Sequence, residues 1–114
     1  MLFNADDYQD EAHEFAGEAC EEIMYPALSL AGEAGEIANK VKKLRRDKKA
    51  THWEDLTSVE EVEDLVKEIG DCIWYCSEMA SQMGISLSYV MKKNLEKLES
   101  RKARGVLGGN GDNR

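Results

Sequence analysis

Apolar residues along this chain recur every three to four positions, the spacing of one helix face, with little of the alternation that marks a strand. A first helix is expected from about Ala5 to Glu22. Asn4 or Asp6 would cap it, acids fill its first turn, and its apolar side is thin: Tyr8, Ala12, Phe15, Ala16, Ala19 and Ile23. A second begins near Pro26, the single proline, and runs to about Arg46 with Leu30, Ala34, Ile37, Val41 and Leu44 along one side. A polar connection from Asp47 to Leu56 carries His52 and Trp53.

Ser58 opens the most strongly patterned segment, with Glu61 three residues on as in a capping box. Its stripe is Val62, Leu65, Val66, Ile69, Ile73, Cys76, Ala80 and Met83, and Gly84 is a stop signal. Ser86 caps a fourth helix whose expected buried side is Leu87, Val90, Met91, Leu95 and Leu98. The pattern therefore predicts an all-α, four-helix bundle-like domain over residues 1–104. A glycine-rich tail, 105–114, follows and is expected to be a flexible end.

Composition narrows the function classes. The chain has 114 residues, enough for one domain but few for a stable core, so self-association is expected. A formal net charge of -8 argues against a stable nucleic-acid partner. It also means that an anionic substrate needs metal ions to approach. No stretch is long and apolar enough to span a membrane, and the first residues lack a basic, apolar leader. Three cysteines, Cys20, Cys72 and Cys76, point to a reducing cytoplasm, with Cys72 and Cys76 read as small core residues.

Two segments carry the candidate chemistry. Glu33 and Glu36 lie three apart on the second helix, and Glu68 and Asp71 lie three apart on the third. At about 100° per residue, both pairs fall at the border of their helix's apolar stripe rather than opposite it. Packed together, the two helices would bring four carboxylates to the rim of their contact. Gly32 and Gly35 remove bulk beside Glu33 and Glu36, leaving room for a close approach. Such acids repel one another unless a hard divalent cation is shared, and an oxygen-only donor set suits Mg2+ or Mn2+. The plainer alternative is a set of solvated acids in a chain with 23 Asp and Glu. A ferritin-like di-iron site is disfavoured, since neither His13 nor His52 follows a glutamate by three.

Seven basic residues fall between Lys40 and Lys49. They suit a helix C-terminus, and Lys40 and Lys43, one turn beyond Glu36 and Glu33, are also placed to hold a phosphate tail. Asn94, Lys97 and Arg101 make an i, i+3, i+7 row on the fourth helix. Asn94 falls inside the apolar stripe, so its amide needs a partner. Trp74 projects away from the third helix's stripe, toward an interface or a base.

The spacing Gly32-Glu33-Ala34-Gly35-Glu36, then Glu68-Ile69-Gly70-Asp71, resembles the MazG-like nucleotide pyrophosphohydrolases of the all-α NTP pyrophosphatase superfamily. The likeness extends from Tyr25-Pro26-Ala27-Leu28 through Trp74-Tyr75 and Asn94-Leu95-Glu96-Lys97-Leu98 to the tail, which is similar to small stand-alone and phage-type members. One departure is Gly32, where the family pattern has an acid. The resemblance implies cleavage of nucleoside triphosphates between the α and β phosphates, giving a monophosphate and pyrophosphate. It implies Mg2+ held by Glu33, Glu36, Glu68 and Asp71, and a homodimer or dimer of dimers. Asn94, Lys97 and Arg101 are expected to touch substrate, and Glu36, backed by Glu33, is the expected catalytic base. Two other readings are a non-catalytic helical interaction module and a dUTPase-like enzyme specific for one base.

Overall fold

A computed structural model describes residues 3–56 and 58–112. Four helices hold the chain: α1 (Ala5–His13), α2 (Met24–Lys48), α3 (Val59–Gln82) and α4 (Leu87–Ala103), with no strand among the described residues. Residues 1, 2, 57, 113 and 114, which include both ends of the leader and tail readings, lie outside the description.

Each boundary has a local cause. Asn4 Oδ1 accepts from the amides of Asp6 and Asp7 and starts α1. The helix ends at His13 rather than Glu22, because Gly17 takes an extended conformation and only a short 3-10 turn, Glu18–Glu21, follows. The Glu22 carboxylate accepts from the amides of Met24 and Tyr25, so α2 opens two residues before Pro26, which is buried. Ser58 Oγ accepts from the Glu61 amide, as a cap should, while the Glu61 carboxylate is engaged by Lys48. Ser86 Oγ accepts from Tyr89, and Gly84, at φ 68°, makes the turn between α3 and α4.

Helices α2 and α3 are the principal packed pair, running antiparallel so that Glu33 faces Asp71 and Lys48 faces Glu61. Helix α1 is pinned across α3 and the α3–α4 turn by polar contacts. Buried Gln9 donates through Nε2 to Ser81 Oγ (3.2 Å) and the Ile85 carbonyl (2.9 Å), and its Oε1 accepts from the Leu87 amide (2.8 Å). Asp6 accepts from both the amide and the hydroxyl of Ser88. Trp74 Nε1 donates to the Ala12 carbonyl (3.1 Å), so this indole joins α1 to α3 within one chain.

The core expected along α4 is not closed. Leu87 is buried, but Val90, Met91, Leu95 and Leu98 are exposed, as are Val66, Ile69 and Ile73 on α3. Helix α4 diverges from α3 and leaves an open apolar cleft of about 620 Å³ between them. The cysteine reading needs the same correction: Cys20 is buried, Cys72 is half-buried on that cleft, and Cys76 is exposed. No helix among the described residues is long and apolar enough to cross a membrane.

Candidate functional site

The antiparallel pairing of α2 and α3 sets the first half of α2 against the middle of α3. That registry brings one carboxylate oxygen each from Glu33, Glu68 and Asp71 within 4.8 Å of one another. Glu33 and Glu68 are half-buried and Asp71 is exposed, so the group sits at the rim of the helix contact, open to solvent. Glu36 lies outside this three-way group and is exposed.

The electrostatics follow from crowding. Partial burial, then the Asp71 carboxylate and a hydrogen bond to Glu68, push Glu33 above the usual glutamate value. Glu68 moves the other way, held below its usual value first by a hydrogen bond from Lys40 and further by its bond with Glu33. Lys40 Nζ lies 2.9 Å from Glu68 Oε1, and that bond raises the lysine's own pKa. Three crowded oxygen donors suit a hard divalent cation, whose charge would relieve the repulsion among them.

Beyond Lys40 the two helices enclose a shallow cleft of about 210 Å³, lined by Lys40, Lys43, Asp47, Lys48, Glu61 and Asp64 with Leu44 and Leu65 beneath. Lys40 and Lys43 thus share one groove leading away from the acids. Asn94 is elsewhere, on the apolar cleft between α3 and α4 with Ile37 and Ile69. Lys97 and Arg101 are engaged by the tail, through Asp112. The spaces beside Gly32 and Gly35 are open: a Cβ at either would meet nothing within 4 Å. The close approach expected there is not made within one chain.

Two contacts were not anticipated. Lys40, expected to hold a phosphate tail, forms an ion pair with a candidate metal ligand in the ligand-free chain. The row Glu61, Asp64, Glu68 and Asp71 on α3, facing Lys48, Lys43 and Lys40 on α2, was visible in the sequence as a charge ladder and signals this pairing. Tyr8 of α1 also borders the acids: burial, then Asp71 and Glu78, push its phenol above the ordinary value.

Residues 21–106 match the MazG nucleotide pyrophosphohydrolase domain. The chain belongs to this family. The matched segment contains all four candidate acids, whereas α1 and the tail beyond Val106 fall outside it. The chain is 47% identical over 97 residues to the Gene 37 protein of Mycobacterium phage L5, covering 85% of this chain and 81% of that one. It is also 33% identical over 72 residues to the uncharacterized protein YvdC of Bacillus subtilis (strain 168), covering 63% and 68% respectively. No solved structure matches the chain significantly. Family membership carries nucleotide pyrophosphohydrolase activity and use of a divalent metal, in keeping with the acidic group.

Proposed function

We propose that the chain hydrolyses nucleoside or deoxynucleoside triphosphates between the α and β phosphates, in a magnesium-dependent reaction that yields a monophosphate and pyrophosphate. The observation that carries this reading is the convergence of Glu33, Glu68 and Asp71 within 4.8 Å at the rim of the α2–α3 contact. These three residues, with Glu36 beside them, are the proposed metal ligands. A magnesium or manganese ion bound there supplies a Lewis acid for a phosphoryl oxygen and lowers the pKa of a bound water.

The chain's own residues have separable tasks. Glu36, outside the three-way group and facing solvent, is the proposed general base. It takes a proton from the attacking water as that oxygen bonds to the α phosphorus and the bond to the bridging oxygen breaks. Lys43, on the cleft leading from the acids, meets the departing pyrophosphate. Were Glu68 to hold a metal, Lys40, now bonded to Glu68, would be released to meet phosphate.

Self-association as a homodimer, or a pair of dimers, is part of the proposal. It is supported by the apolar faces of α3 and α4 that one copy leaves open, and Asn94 lies on that cleft. The test is a panel of nucleoside triphosphates with Mg2+ or EDTA, scoring pyrophosphate against orthophosphate. Magnesium-dependent pyrophosphate release is expected. Orthophosphate as the product, or no turnover of any nucleotide, would overturn the reading, and the panel itself reads out the base and sugar preference.

A further inference from the structure

Arg101 is only 4% exposed, although most of α4 is open to solvent. What covers it is the chain's own tail. Gly105, at φ 72°, ends α4 with its amide donating to the Lys102 carbonyl and the Val106 amide donating to the Arg101 carbonyl (2.9 Å). Gly109 and Gly111, also at positive φ, turn the chain back along the helix. Arg101 Nη2 then donates to the Gly111 carbonyl (3.2 Å) and to Asp112 Oδ1 (3.1 Å). Lys97 Nζ lies 3.2 Å from that same oxygen.

The fit is incomplete in a particular way. One oxygen of a carboxylate that is 80% exposed serves two cations, and Arg101 Nε is buried with no hydrogen-bond partner. A guanidinium presents a planar fork that matches two oxygens of an anion, and phosphate offers three around one centre with more charge. Lys97 and Arg101 are already expected to touch substrate; we propose that in the ligand-free chain Asp112 occupies the seat a phosphate takes between them, and that a phosphate group displaces the tail. The seat lies on α4 rather than on the α2–α3 groove. The Asp112 carboxylate is 80% exposed and its pair with Lys97 is open to solvent, so a more highly charged competitor can lift it away. The same two cations hold the Asp112 carboxyl below its usual range.

That the incoming anion is a nucleotide or its pyrophosphate product rests on the function proposed above; the seat itself does not. The test therefore begins without metal or turnover. Inorganic pyrophosphate and, separately, a non-hydrolysable triphosphate analogue are titrated in EDTA into the full chain and into D112N and D112A. Both variants are expected to bind the effective anion roughly three- to tenfold more tightly than the parent. Arg101→Gln is expected to lose the binding. In the parent chain, saturation is expected to speed hydrogen exchange at the amides of residues 108–112. Whichever anion opens the tail identifies the source. Equal affinity for the parent and both Asp112 variants, or a tail whose exchange neither anion changes, overturns the proposal. In the turnover assay the Asp112 variants are expected to lower KM and leave kcat in place. Absence of turnover in the parent would sink the hydrolase reading while leaving the pyrophosphate titration to judge the seat.

Discussion

At the scale of single residues, the candidate centre separates acids that Glu-x-x-Glu spacing treats as equals. Glu33 converges with Glu68 and Asp71, while Glu36, one turn later, does not. The two classes should fail differently when altered. Glu33→Gln and Asp71→Asn are expected to weaken Mg2+ binding by calorimetry and to cut kcat/KM roughly a thousandfold, the scale of losing several kcal/mol of charge stabilisation. Glu36→Gln is expected to cost kcat more than metal affinity, because the three converging ligands remain while the base is removed. Far-UV circular dichroism should be unchanged in all three, because the altered side chains are half-buried or exposed. The acid pairs were legible because i, i+3 spacing at a stripe border is a local property of the sequence. The Lys40–Glu68 bond is not readable from either helix alone; only the complementary charge rows of α2 and α3 taken together point to it, because it depends on how the two helices are registered.

Among elements, α1 behaves as a strap held by polar groups. The Glu78 carboxyl is 0% exposed, and its partner among the described residues is His13, whose Nδ1 lies 3.1 and 3.2 Å from the two carboxyl oxygens. His13→Ala strands that group, and a loss of about 1–3 kcal/mol in denaturant unfolding is expected. Adding Glu78→Met to the same chain should recover much of it, because neither polar group is then left unpaired. Asp6 stitches α1 to α4 through Ser88, and those two bonds hold its pKa below the usual aspartate value. A carboxyl with a depressed folded pKa adds stability above its unfolded pKa, near 4, and loses it as pH falls through the lower folded value. Asp6→Asn should therefore lower the melting temperature at neutral pH and flatten its acid-side slope. The caps at Ser58 and Ser86 and the stop at Gly84 were readable, because a cap needs only its own turn. The overlong first helix came from Glu and Ala residues at 14–22, good helix formers whose continuation Gly17 interrupts.

At the scale of the whole molecule, size bears on the proposed self-association. The radius of gyration is 16.9 Å, against about 13 Å for a compact domain of this length. The accessible surface is 8484 Å², against about 6,300 Å² for a globular monomer of 12.8 kDa. The difference, about 2,200 Å² per chain, is what a large obligate interface hides. Periodicity placed Val90, Met91 and Leu95 on a buried side, whereas one chain leaves them exposed, and periodicity cannot name a surface that would cover them. Met91→Glu and Leu95→Glu are expected to convert a dimer or larger species to monomer by sedimentation, and to remove the concentration dependence of its melting temperature. A parent chain that sediments as a monomer at every concentration would contradict this.

The divergence of α4 makes abundance a control variable. With its apolar flank uncovered, a newly made copy is at its most vulnerable to proteases and chaperones while copies are scarce. If pairing covers that flank, as proposed, pair formation scales with the square of the copy number, and slow expression then yields less than its share of paired chain.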